Sequence, residues 1–218
     1  MTGTEHLYLD HAATTPVLPE AGQAVARALE LWANPSSPHS HGRMARAALE
    51  EARRTVADAL SWRHDVIFTS GASEAIQIVA SRAKVSRRIV GPTEHDAVVA
   101  AMGADAEVLP VDANGLIDLA AVDGKLTGGS ALVAIQQVNN ETGIIQPLER
   151  IHELVRSVGS LLLSDCAQGA GKIPLPDADF IAISGHKFGG PPGIGALLVK
   201  DLAILEATGG QERGYRRG

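Results

Sequence analysis

Ala131-Leu-Val-Ala-Ile-Gln-Gln-Val138, a helical pattern over Pro147–Val158, and then Leu161-Leu-Leu-Ser164 form the stretch that decides the fold. The first and last pieces are nearly continuous apolar runs, without the alternation of a half-exposed strand. Such runs suit strands covered on both faces of a sheet. Between them Leu148, Ile151, Leu154, Val155 and Val158 fall on one helical face, the stripe that packs a helix onto that sheet. Strand, helix, strand in this sequence is the unit of a parallel α/β sheet. Working outward, Asp65–Thr69 and Arg88–Gly91 precede it, and Phe180–Ser184 and Ala196–Lys200 follow, all read as further strands. Arg43–Leu60 adds a helix with an apolar stripe and charges opposite. The expected fold is α/β, with a mostly parallel sheet flanked by helices, and no internal repeat or low-complexity tract interrupts it.

Composition narrows the function. The 218 residues carry 19 basic and 25 acidic side chains, for a net charge of −6. That balance argues against a nucleic-acid-binding surface. No apolar run approaches the roughly 20 residues of a membrane-spanning helix. Met1–Leu9 lacks the charged-then-apolar layout of a secretion signal. The single cysteine, Cys166, has no internal disulfide partner, so a cytoplasmic, reducing setting is expected. Eight histidines invite a metal reading, and His39 and His41 sit two apart in a Pro/Ser-containing loop. No pair of histidines has helical i,i+4 spacing and Cys166 has no partner for a zinc site, so no metal is expected. His6, His64 and His152 read as surface residues.

In sheets of this kind ligands bind at the carboxyl ends of the strands. Thr69-Ser-Gly-Ala-Ser-Glu74 follows one strand and opens a helix, an arrangement whose free N–H groups and positive dipole end suit a phosphate. An ordinary capped turn would look the same. Asp165 ends a second strand, where it would serve a cation, a ribose, a protonated ring nitrogen or simply a helix cap. Ser184-Gly-His-Lys187 ends a third and runs into a cluster holding Gly185, Gly189, Gly190, Gly193 and Gly195. Lysine is scarce, with five against fourteen arginines. A lysine desolvated at a strand end has a depressed pKa and forms a Schiff base with an aldehyde. Each feature alone has a plain structural reading. Together an anion turn, a strand-end carboxylate and a strand-end lysine meet the needs of pyridoxal phosphate.

The motifs bear this out in order along the chain. They are Tyr8-Leu-Asp-His-Ala-Ala-Thr-Thr-Pro16, Asn34-Pro-Ser-Ser37 with His41-Gly42, Phe68-Thr-Ser-Gly-Ala-Ser-Glu74 and Thr93-Glu-His-Asp-Ala-Val98. Val138-Asn-Asn-Glu-Thr-Gly143, Asp165-Cys-Ala-Gln168, Ser184-Gly-His-Lys187 and Gly209-Gly-Gln-Glu-Arg-Gly214 continue the series. The sequence resembles the large domain of a cysteine desulfurase, in the class V aminotransferase group of fold-type I pyridoxal-phosphate enzymes. The resemblance implies that Lys187 carries the cofactor as a Schiff base and that Asp165 pairs with its ring nitrogen. His95 would stack on the ring and assist proton transfer, Gln168 would bond the ring's phenolate oxygen, and Asn140 would lie near the substrate. Ala72, Ser73, Ser184 and His186 would hold the phosphate.

The implied reaction converts L-cysteine to L-alanine and leaves sulfur as an enzyme-bound persulfide. Its implied partners are a second copy of the chain and a sulfur-acceptor protein, iron–sulfur cluster assembly being one destination. A selenocysteine lyase, another class V enzyme, or a non-catalytic homologue acting as a binding partner are the alternatives. The family's nucleophilic cysteine lies on a loop much further along the chain, so Cys166 is expected to be a small packed residue. Residues 1–15 are expected to form an N-terminal arm and 16–218 the cofactor-binding domain. The small C-terminal domain and substrate-binding arginine of the family are expected to be missing, which makes a fragment the favoured reading over a naturally short form.

Overall fold

The computed structural model describes residues 7–216. Its centre is a seven-stranded sheet in the order β1 (Asp65–Thr69), β7 (Gly195–Val199), β6 (Phe180–Ser184), β5 (Leu161–Asp165), β4 (Ala131–Gln136), β2 (Arg87–Val90) and β3 (Glu107–Val108). From β6 to β3 all neighbours are parallel, and β7 alone runs antiparallel to both of its neighbours, β1 and β6. The mostly parallel α/β sheet expected from the apolar runs is the sheet observed. Every residue of β4, β6 and β7 is buried, the physical reason those runs do not alternate.

Helices cover both faces. On one side lie α2 (Ser40–Ala59), α5 (Leu119–Leu126) and α6 (Leu148–Ser157), and on the other α3 (Ala72–Arg82) and α4 (Asp96–Met102). The first core joins Leu148, Ile151 and Val155 of α6 with Val122 and Leu126 of α5 against Val133, Ile135 and Leu162 of the sheet. The second joins Ile76, Val79 and Ala80 of α3 and Val98 and Met102 of α4 with Leu132, Leu163 and Phe180. Asp118 caps α5 by accepting the Ala120 N–H at 2.9 Å, which satisfies one of the donors a helix start leaves free. α1 (Pro19–Leu29) buries none of its residues.

The structure departs from the sequence reading at several places. Val158 follows α6 and is 45% exposed, because the helix ends one residue before it. The stripe assigned to Arg43–Leu60 is also incomplete. α2 buries only Gly42 and Arg53, while Val56, Ala57 and Leu60 are half-buried. His152 is buried in α6, not exposed: its Nδ1 lies 3.3 Å from an Asp177 carboxylate oxygen. His6 lies outside the described residues. β7 begins at Gly195, one residue earlier than expected, where a Cβ would meet the Ile183 carbonyl oxygen at 2.5 Å and the Gly71 Cα at 2.6 Å. Only glycine lets the turn after β1 close so tightly onto β7.

Candidate active site

The carboxyl ends of β1, β4, β5 and β6 surround one cavity of about 380 Å³. Ala72, Ser73, His95, Asn140, Asp165, Gln168, Ser184, His186 and Lys187 all line it. Nine side chains spread over more than a hundred residues of sequence are gathered because each ends or follows a strand that finishes at the same edge of the sheet.

The floor is Asp165, the last residue of β5 and 9% exposed. Its Oδ1 accepts the Ala167 N–H at 2.9 Å. Burial pushes its carboxyl up, while that N–H and the nearby His95 and Lys187 favour the charged form. A buried carboxylate facing a cavity needs a cationic partner to remain ionised.

Lys187 sits in the short 3-10 turn Gly185–Lys187 that ends β6. Partial desolvation pulls its ammonium below the ordinary lysine range, the Asp165 carboxylate opposes that, Lys172 adds to it and Asp10 opposes it. Its Nζ donates to the carbonyl oxygen of Ala12. Gln168 Nε2 donates to the same carbonyl at 2.8 Å. The N-terminal segment thus packs against these two cavity-lining side chains, held where Thr15 N–H donates to the His186 carbonyl at 2.8 Å and Leu18 N–H to that of Gly189 at 2.9 Å. Desolvation and then the Lys187 charge lower the His186 pKa. Its Nδ1 is 3.1 Å from Thr14 Oγ1.

At the opposite wall Gly71 precedes α3 without any side-chain cap. The first N–H groups of that helix therefore face the cavity unshared, with the buried Ser184 hydroxyl beside Gly71. His95 caps α4 by accepting the Ala97 N–H on Nδ1 at 3.1 Å. That acceptor role puts the neutral ring's proton on Nε2. The segment before it is stapled to the end of β4: Glu94 Oε1 accepts the Gln136 N–H at 3.0 Å, and Asn139 Nδ2 donates to the Thr93 carbonyl at 3.0 Å.

Residues that the sequence reading gave no role also matter here. Gln136 lines the cavity, and a glutamine closing an apolar run was a readable signal at a strand end. The Ala12 carbonyl is a backbone contact and leaves no side-chain signature. Cys166 is fully buried with its Sγ 3.3 Å from Ser164 Oγ, and burial drives its thiol far above the ordinary range. His39 serves as the cap of α2, accepting the Gly42 N–H at 3.2 Å. Among the described residues no group of three or more potential metal ligands gathers, and no helix is long and apolar enough to cross a membrane.

A family model described as aminotransferase class-V matches residues 7–213. The chain is 39% identical to a cysteine desulfurase IscS of Shewanella denitrificans, over 97% of this chain and 59% of that protein. It is 38% identical to a cysteine desulfurase of Cereibacter sphaeroides, over 98% of this chain and 61% of that protein. The solved NifS-like protein of Rickettsia africae superposes with a TM-score of 0.88 at 30% identity, covering 97% of this chain and 64% of that one. The chain therefore spans about three fifths of the length of the curated relatives it matches.

Proposed function

We propose, from the premise that this chain belongs to the class-V aminotransferase family, that it forms the cofactor-binding part of a cysteine desulfurase. The family is pyridoxal-phosphate-dependent. The proposed overall change takes L-cysteine and an enzyme thiol to L-alanine and a persulfide. The observation that carries the reading is the pairing, in one cavity, of the buried Asp165 carboxylate with the partly desolvated Lys187 amine.

The donor set fits the group. Asp165 is a buried carboxyl suited to a protonated ring nitrogen, the start of α3 with Ser73 and Ser184 suits a phosphate, and Lys187 suits an aldehyde. His95 suits the ring face, Gln168 the phenolate oxygen and Asn140 the substrate side, with His186 beside the phosphate. When bound, pyridoxal phosphate supplies an electron sink for negative charge at the substrate Cα. Asp165 keeps a positive charge on the ring nitrogen by remaining anionic. Lys187, with its depressed pKa, has a free amine at neutral pH more often than a surface lysine does, and so moves a proton at the substrate Cα.

We read residues 1–15 as an N-terminal arm and 16–218 as the cofactor-binding domain. We also propose a cytoplasmic protein that pairs with a second copy and passes sulfur to an acceptor protein. Exposed Leu29, Trp32 and Leu9, at 75%, 78% and 77%, support a covered face.

The test is uptake of pyridoxal phosphate, read from its visible absorbance and by equilibrium dialysis. The chain is expected to bind it, Lys187→Ala to lose the visible band, and Asp165→Asn to weaken binding. A wild-type chain that takes up none overturns the reading.

A further inference from the structure

Glu74 is an anion in the wall of a cavity that suits a phosphate, and that needs explaining. It lies in the first turn of α3. Its Oε2 accepts the Ser70 N–H at 2.6 Å, and its Oε1 accepts Nε of Arg216 at 2.7 Å. Arg216 closes a small hairpin in which the Gln211 N–H donates to the Arg216 carbonyl at 3.0 Å and the Arg216 N–H donates back to that of Gln211 at 3.1 Å. That hairpin is anchored from behind, where Glu212 accepts Arg53 Nη1 at 2.7 Å and the Phe68 N–H at 2.9 Å. Partial burial opposes the Glu74 charge, but Arg216 and the Ser70 bond hold its carboxyl below the ordinary range. Glu74 is therefore charged at neutral pH and would repel a dianion bound at the same turn.

We infer that Arg216 and Glu74 are a positioning couple for the phosphate end of the cavity: Glu74 fixes the Ser70–Ser73 turn through the Ser70 N–H, and Arg216 cancels the carboxylate's charge. The inference rests on the reading that the cavity holds pyridoxal phosphate. The couple makes phosphate affinity depend on a hairpin more than a hundred residues away in sequence. Neither residue is assigned a direct bond to the phosphate.

The test compares two probes, pyridoxal 5′-phosphate and pyridoxal, which share the aldehyde and differ in the phosphate. Equilibrium dialysis is run on the wild-type chain, Arg216→Gln, Glu74→Gln, the double variant and Arg216→Lys. Arg216→Gln, with its carboxylate uncancelled, is expected to weaken pyridoxal phosphate about tenfold and change pyridoxal less than about twofold. Added salt is expected to shrink that loss. The double variant is expected to recover most of it, because the charge that needed cancelling is gone. Arg216→Lys is expected to stay near wild type, which keeps the test open if Arg216→Gln folds poorly. Equal losses for both probes, or a double variant as weak as Arg216→Gln, would mark a merely structural latch and overturn the inference. A wild-type chain that binds pyridoxal as tightly as its phosphate instead overturns the phosphate reading of the cavity.

Discussion

Glu94 has a carboxyl that the sheet holds by one oxygen only. Oε1 accepts the Gln136 N–H, while Oε2 is buried with no hydrogen-bond partner among the described residues. An ionised carboxylate left half-bonded inside a protein is costly, so the neutral form is favoured. Burial pushes its pKa well up, the Gln136 N–H pulls it down, and the Asp165 charge pushes it up again. The sign follows directly. Above the ordinary carboxylate range the unfolded chain has lost this proton while the folded chain keeps it. The folded state then binds more protons, and its stability falls as pH rises toward the raised pKa. Glu94→Gln retains the carbonyl that accepts the Gln136 N–H and removes the titration. Its stability relative to wild type is expected to improve as pH rises above the ordinary carboxylate range, read by urea unfolding at several pH values. A difference that stays flat with pH would mean Glu94 is ionised in the folded chain. Asp165 carries a shift of the same sign, but it is common to both proteins and drops out of the difference unless the two carboxyls are coupled.

At the scale of elements, Arg53 is a buried tie between α2, β1 and the hairpin near the end of the chain. Arg53 of α2 donates to the Val66 carbonyl at 2.6 Å and to Glu212 at 2.7 Å, and lies 5.0 Å from the centre of the Phe68 ring. Burial works against its charge, and Glu212 and Glu50 more than restore it. Both side chains of the Arg53–Glu212 pair are at most 10% exposed, so removing one strands the other. Glu212 and Arg213 also hold left-handed backbone, φ 47° and 57°, which the anchoring must maintain. Arg53→Ala is expected to cost about 3 kcal/mol in chemical unfolding. A cost under about 1 kcal/mol would mean the pair is solvated in solution.

Arg53 also illustrates where sequence reading stops. Strands were legible because their burial on both faces leaves continuous apolar runs, and α6 because its stripe meets the core. α2 hides a charged residue among its buried positions, and no periodicity separates that arginine from its exposed neighbours. α1 offered a proline at its start and Glu20 in its first turn, a readable helix signal, although none of it packs on the core. β3 has two residues and no pattern to read. In the cavity, side chains that directly follow a strand were legible because topology carries them to one edge. The Ala12 carbonyl, the Ser70 N–H and the unpaired oxygen of Glu94 were not, because they depend on backbone position and distant partners.

Across the whole molecule, the carboxyl edge of the sheet collects the chemistry and the two cores seal off the rest. That division decides the fate of the chain's only cysteine. Asp165 and Cys166 are adjacent, yet Cys166 belongs to the core beneath α5 and α6 while Asp165 lines the cavity. Burial drives the Cys166 thiol up against the pull of the Ser164 hydroxyl, with a smaller upward push from the Asp165 charge. A thiol attacks as its thiolate and needs access to the sulfur it takes, and Cys166 has neither. The 218-residue chain loaded with pyridoxal phosphate and given L-cysteine is therefore expected to form no persulfide and release little alanine. Cys166→Ala is expected to leave cofactor uptake unchanged, since the thiol touches none of the cavity. Intact-mass measurement after incubation, with alanine quantified in the same sample, checks both points. A gain of one sulfur atom on Cys166 would show that the core opens to the cavity during turnover, and would make this buried residue the nucleophile.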